Sequence, residues 1–294
     1  MITFFQQMIN GLSLGSVYAL IAIGYTMVYG IIKMVNFAHG EIFMVGSFLG
    51  LLGVSVFHLP FFSALLFSMA GTAAIGAFIE KVAYKPLRKS KPVTLFITAI
   101  AVSMFLKNFV KLDFLAGPNP HPFPDVLSVE NYNIKGVLVS YIQIVVLITA
   151  IVLGVMLHYL VNQTKIGYAM RVVAYDKDAA ALMGINVDRV ITITFLIGSA
   201  LAGAAGVLVG IMYPKLDPSM GTLPGMKCFV AAVLGGIGEI PGAILGGVII
   251  GLVETMTKAY ISSSLADAVT FSLLIIVLLV RPTGLLGKKV FEKV

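Results

Sequence analysis

Long apolar runs dominate this chain, rather than an alternation of apolar and polar positions. Residues 1–32 contain no Asp, Glu, Lys or Arg, a run that would extend on the order of 48 Å as one helix. A bilayer core is only about 30 Å thick, so part of the run lies outside it. Gln6, Gln7 and Asn10 mark the first turns as the interfacial part and leave a span near 10–32. The stretch 42–79 is again free of charge and is broken by His58-Leu59-Pro60, which predicts two spans, 42–57 and 61–80, joined by a tight turn. Further apolar segments fall at 93–112, 138–160, 190–213, 226–238, 241–258 and 262–280. The short 226–238 piece suits a half-span or re-entrant segment. The fold expected is an all-α, polytopic helical bundle of about eight or nine membrane segments, forming a single transmembrane domain over 1–294.

Composition agrees with lipid as the main solvent. The chain is 59% hydrophobic and 11% charged, with a mean hydropathy of +1.02, whereas soluble domains carry about a quarter charged residues. The net charge of +7 does not point to nucleic acid, because the basic residues sit in loops beside apolar runs, as in loops facing anionic lipid. Lys81, Lys85, Arg88, Lys89 and Lys91 lie in one loop, and Lys165, Arg171, Lys177 and Arg189 in another. Arg281, Lys288, Lys289 and Lys293 lie in the tail. These three regions belong in the cytoplasm. The 113–137 segment, with Asp113, Asp125 and Glu130 against Lys135 and four prolines, belongs on the other side. Counting back puts the N-terminus outside, provided 42–57 is a full span. Cys228 is the single cysteine, which excludes an internal disulfide and a cysteine-based metal cluster. No basic residue precedes the first apolar run, so a cleaved signal peptide is not expected.

Gly11/Gly15, Gly46/Gly50, Gly206/Gly210, Gly242/Gly246 and Gly247/Gly251 are each four apart, so each pair lies on one helix face. Small residues at this spacing let helix backbones approach closely, and five pairs argue for a tight bundle. Gly40-Glu41-Ile42 and Gly238-Glu239-Ile240 form a short echo, both at junctions between apolar segments. Transporters place binding elements where paired helices are interrupted.

The 161–189 segment reads Asp176-Lys177-Asp178-Ala179-Ala180-Ala181-Leu182-Met183-Gly184-Ile185 in its centre. Asp176 or Asp178 can cap a helix, the alanines favour one, and Gly184 suits a left-handed stop. A short helix between two spans follows, with an alanine-rich face that is either solvated or inserted in a partner's groove.

Ala179-Ala180 followed by Gly184 resembles the cytoplasmic coupling motif of ABC-importer membrane subunits. Gly184-Ile185-Asn186-Val187-Asp188-Arg189, then Phe195 and Ala202-Gly203-Ala204-Ala205-Gly206, is similar to its branched-chain amino acid permease branch. So are Val35-Asn36-Phe37-Ala38-His39-Gly40-Glu41, Leu234 to Ala243, and the closing Arg281-Pro282-Thr283-Gly284-Leu285-Leu286-Gly287. The resemblance covers nearly the whole chain in order and is nearest the shorter of that branch's two membrane subunits. Position 178 is Asp where the general motif often has Glu, so the acid is kept. The resemblance implies a bacterial inner-membrane permease whose coupling loop, at about 161–189, docks through Arg171, Asp178, Ala179, Ala180 and Gly184. It implies two cytoplasmic ATPase subunits, a second related permease subunit, and a periplasmic or lipid-anchored amino-acid-binding protein. ATP and Mg would be bound by the ATPase partners and no cofactor by this chain, which lacks the Gly-x-x-x-x-Gly-Lys-Ser/Thr phosphate loop.

Ionisable residues near the spans are His39, Glu41, Lys107, Lys111, Glu239, Glu254, Lys258 and Asp267. A charge at mid-bilayer costs at least about 2.5–3.5 kcal/mol, so such groups face a partner or a wet cavity. Lys107, Lys111 and Lys258 are close enough to span ends to snorkel, and Asp267 reads as interfacial. Glu41 and Glu239 stand at helix breaks, where a carboxylate either caps exposed N–H groups or lines a translocation path. Glu254 and Lys258 have the spacing of an (i, i+4) pair. His39 beside Asn36 gives no metal geometry alone. Asn36, His39, Glu41, Glu239 and Glu254 are therefore the candidate path residues. An ATP-independent carrier is the competing class, without an acidic relay to support it, and no nucleophile or metal cluster supports an intramembrane enzyme. Branched-chain amino acids are the solutes implied, with urea and short amides as the alternative.

Overall fold

The computed structural model describes residues 2–287 apart from 89 and 129. Lys89, Lys288, Lys289 and Lys293, counted above among the loop charges, lie outside the described residues. The elements run α1 (Ile2–Ile32), α2 (His39–Ser55), α3 (Phe61–Ile79), α4 (Pro92–Val110), β1 (His121–Pro122), β2 (Asn131–Ile134), β3 (Val137–Ser140), α5 (Tyr141–Gln163), α6 (Lys165–Tyr175), α7 (Lys177–Leu182), α8 (Val187–Met212), β4 (Lys215–Leu216), α9 (Thr222–Gly235), α10 (Ile240–Tyr260) and α11 (Ala266–Val280). A π-helical turn, Glu80–Tyr84, and a 3₁₀ turn, Lys85–Leu87, prolong α3.

Among the described residues seven helices are long and apolar enough to cross a bilayer, rather than the expected eight or nine. The two that fall short, α2 and α9, are cut by interruptions that hydropathy does not register. Lys33 turns left-handed, with φ of 61°, and an irregular segment leads from it to α2. A turn around Gly221 precedes α9. Non-helical backbone at membrane depth survives only where protein satisfies its polar groups. Asn36 does this before α2: its Oδ1 accepts from the Ala38 N–H at 3.1 Å and the Tyr84 hydroxyl at 2.7 Å.

α1 forms the centre and packs against α8, α9 and α10, while α2 and α3 pack on the other side of α8. The glycine pairs lie in these seams. A Cβ built on Gly46 would stand 2.5 Å from the Gly203 Cα, and one on Gly15 2.8 Å from the Val248 Cα, so each contact is backbone against backbone. Lipid tails are as apolar as leucine, so close packing and interhelical hydrogen bonds drive association. Ser68 Oγ donates to the Gly46 carbonyl at 2.7 Å and Ser47 Oγ to the Gly206 carbonyl at 3.0 Å, across those same seams. By contrast α4, α5 and α11 stay mostly exposed.

The two ends of the bundle differ. At one, Arg88 and Lys85 of the 81–91 loop reach Asp188 at the start of α8, and Leu285 and Leu286 hydrogen bond to the last carbonyls of α9. All three basic regions therefore meet at this end. At the other, β1 pairs with β4, and the β2–β3 hairpin turns at Lys135 and Gly136, both left-handed. Gln6 holds the hairpin through both backbone groups of Leu138 at 2.8 Å, so the polar first turns of α1 lie with the Pro-rich segment.

Candidate functional site: two helix breaks, two ion clusters and a short surface helix

The N-terminal ends of α2 and α9 meet inside the bundle. A Cβ on Gly225 would lie 2.8 Å from the Gly40 Cα. Neither helix has a side-chain cap on its own first turn, and each presents the positive end of its dipole. Glu41, in the first turn of α2, sits between them: its Oε1 accepts from the Thr222 hydroxyl at 3.0 Å, and its Oε2 makes no hydrogen bond among the described residues. Ser103 and Lys107 of α4 border the carboxylate, and Lys107 Nζ approaches the Thr222 hydroxyl at 3.4 Å. Lys107 is thus directed at the helix break and not simply drawn to a span end. His39 is buried against α1, edge-on to Tyr25 with ring centroids 4.7 Å apart.

Of the sequence-selected residues, Asn36, His39 and Glu41 stand at one helix break but meet different neighbours, Tyr84, Tyr25 and Thr222, and Glu239 and Glu254 lie elsewhere. Glu239 is the N-cap residue of α10, beyond the far end of α9, and its side chain does not cap α10. The Gly-Glu-Ile echo therefore marks two helix starts at different depths. Glu254 belongs to a cluster of its own. Its Oε1 accepts from Lys258 at 2.6 Å and from Lys227 at 2.9 Å, and its Oε2 accepts from the Tyr18 hydroxyl at 2.9 Å. Lys227 also reaches Asp267 at 2.6 Å, so Asp267 is tied to α9 and is more than an interfacial residue. Sequence reasoning missed Lys227. Its signal was a single charge in the otherwise uncharged 222–235 stretch, a position that calls for a named partner.

A second buried carboxylate, Glu80, was also missed. It is fully buried, pairs with the Arg88 guanidinium, and accepts from the Thr192 hydroxyl at 2.7 Å. Arg88 extends to Asp188 at 2.5 Å. This joins the end of α3 to the start of α8, directly after the short helix.

That short helix, α7, forms for the reasons the sequence gives. Asp176, not Asp178, is its cap, accepting from the N–H groups of Asp178 and Ala179, both at 2.9 Å. Gly184 ends it at φ of 80°. Asp178, Ala179, Leu182, Met183 and Gly184 are exposed, and Leu182 is 90% exposed. Ala180 is fully buried, so the alanine pair is split between an outward and an inward face. Arg171 donates to the Val161 carbonyl at 2.6 Å and Asn162 Oδ1 at 3.0 Å, closing the end of α5. Partial burial, with Arg88 and Lys33 nearby, pushes the Lys177 ammonium below the usual lysine range, which places α7 beside the Arg88 cluster. No group of three or more His, Cys, Asp or Glu able to hold a metal occurs among the described residues.

Residues 7–278 match the family model described as the permease component of the branched-chain amino acid transport system. The chain is 44% identical over 306 aligned residues to the high-affinity branched-chain amino acid transport system permease protein LivH of Salmonella typhimurium, covering 99% of this chain and 98% of that one. LivH of Escherichia coli K12 matches at the same identity and coverage. BraD of Pseudomonas aeruginosa, also a high-affinity branched-chain permease protein, is 43% identical with 99% and 98% covered. Among solved structures, PsaBC from Streptococcus pneumoniae in complex with Fab superposes with a TM-score of 0.50 at 12% identity, covering 93% of this chain and 91% of that chain, a likeness of fold alone. Matched from end to end by its relatives and carrying the helices of a polytopic membrane protein, this chain belongs to the family of branched-chain amino acid transport permease components.

Proposed function

We propose that this chain is the membrane-spanning permease subunit of a binding-protein-dependent ABC importer that carries leucine, isoleucine and valine into the cytoplasm. The observation that carries the reading is the near-complete mutual coverage with LivH of Salmonella typhimurium at 44% identity. In this reading the protein is a single permease domain in a bacterial inner membrane, with the basic end in the cytoplasm. A second permease subunit completes the pore, two ATPase subunits bind ATP and Mg, and a periplasmic or lipid-anchored binding protein delivers the solute.

Coupling takes place at α7. Its exposed Leu182 and Met183 present an apolar ridge beside Ala179 and Gly184, suited to a partner's groove. Arg171 and Ala180, turned to their own chain, hold the loop's shape, while Asp178, Ala179 and Gly184 make the contact. The translocation path runs past the α2–α9 junction at Asn36, His39 and Glu41. Glu254 holds the outer half of α9, and Glu239 lies where the path reaches the basic end.

The test is purification in mild detergent followed by reconstitution in liposomes. Co-purification of ATPase subunits and a second permease, with leucine uptake that needs ATP and loaded binding protein, is the expected result. Uptake by the chain alone without ATP refutes the reading. Gly184→Leu should leave the protein in the membrane and abolish ATP-driven uptake. Full uptake with full ATPase stimulation would refute the assignment of α7.

A further inference from the structure

We propose that the junction of α4, α9 and the first turn of α2 binds a zwitterionic α-amino acid in transit. Glu41 receives its ammonium, and Lys107 with the N-terminus of α9 receives its carboxylate. The inference rests on the permease reading above and deepens it by naming the groups that meet the solute.

The junction presents two opposite charges that form no ion pair with each other among the described residues. Glu41 is 2% exposed; one carboxylate oxygen takes the Thr222 hydroxyl and the other, with the Ser103 hydroxyl near the carboxylate, makes no hydrogen bond among the described residues. A buried carboxylate oxygen without a donor is costly, and the cost is removed when a ligand brings the donor. Across the same hydroxyl stands Lys107, with Nζ 3.4 Å from Thr222 Oγ1 and no salt bridge among the described residues. Thr222 opens α9, a helix of 14 residues without a side-chain cap, so its dipole adds positive charge beside Lys107. Half-helix N-termini aimed at a substrate carboxylate are a general solution in transporters with interrupted helices.

A zwitterion matches this arrangement, and a neutral amide does not. Urea and short amides can offer Glu41 an N–H and Lys107 a carbonyl oxygen, but without the opposite charges that make such hydrogen bonds about twice as strong. Ile100, seven residues before Lys107 on α4, and Met226, four after Thr222 on α9, are exposed apolar residues on the faces that carry those two polar groups. Gly40, Gly221 and Gly225 bring the backbones of α2 and α9 into direct contact beside Glu41, which fixes the carboxylate against the first turn of α9.

The test uses the complete importer in liposomes, with Thr222→Cys introduced on a Cys228→Ala background. A membrane-impermeant methanethiosulfonate should label Cys at 222 in at least one nucleotide state, and leucine-loaded binding protein should slow labelling several-fold. Lys107→Met should cut leucine uptake about tenfold, the loss of one charge-assisted hydrogen bond. Binding-protein-stimulated ATPase activity should persist in it, and Lys107→Arg should retain most of the uptake. Absence of labelling in every state, or unchanged leucine uptake in Lys107→Met, overturns the proposal. The Cys228→Ala parent separates the two failures: if it takes up leucine with ATP while 222 stays unlabelled, the assignment of the junction falls and the permease reading stands. If the unsubstituted chain shows no ATP-driven uptake, the permease reading itself falls.

Discussion

Two carboxylates are buried at different depths in this bundle, and the molecule treats them differently. Glu80, at the basic end, is fully buried and depends on one cation, Arg88, and one hydroxyl, that of Thr192. Glu254, deeper in α10, is shared by two lysines and the Tyr18 hydroxyl, and Lys227 is in turn shared with Asp267. The difference follows from the surroundings. The Arg88 guanidinium, whose planar fork bridges Glu80 to the exposed Asp188, satisfies two acids with one residue. Lys227 is 6% exposed and takes the half-exposed Asp267 as a second partner beside Glu254, so a network replaces a pair. Redundancy is therefore greater where a second cation is buried and has to be satisfied as well.

This difference can be broken experimentally, in order of effect. Arg88→Ala removes the one cation that pairs with Glu80 among the described residues and should destabilise the protein by about 3–5 kcal/mol, as expected for a buried charge that loses its partner. Thermal unfolding in detergent would show it, and adding Glu80→Gln should recover much of the loss. Lys227→Met leaves Glu254 with Lys258 and Tyr18, so the cost should be smaller, about 1–3 kcal/mol. If it equalled that of Arg88→Ala, the network would provide no redundancy. Asp267→Asn alters a side chain that is 46% exposed and should cost less than about 1 kcal/mol. A larger effect would mean that Asp267, rather than Glu254, is what holds Lys227.

Most of the fold was legible in the sequence because its long apolar runs can be accommodated only as helices in lipid. The spans near 61–80, 93–112 and 241–258 recur almost unchanged as α3, α4 and α10. Helix α2 was read as a full span because the break before it, at 33–38, contains one charge and no Pro or Gly. That interruption is made by a left-handed Lys33 and by the Asn36 side chain bonding to Ala38 and Tyr84. The site was half legible. Asn36, His39 and Glu41 are close in sequence and close in space, whereas Thr222 and Lys107 reach Glu41 only through folding.

The sequence by itself determined that this is a helical membrane protein, where its helices lie, which loops share a side, and that α7 is capped by an aspartate and stopped by Gly184. Those are local properties, fixed by hydropathy, charge bias and the conformational freedom of single residues. Only the tertiary structure decided which glycine meets which backbone, that Lys227 joins Glu254 to Asp267, and that two half-helices meet at one carboxylate. Each of these depends on a pairing between segments far apart in the chain, and no periodicity along one segment encodes which other segment it will face.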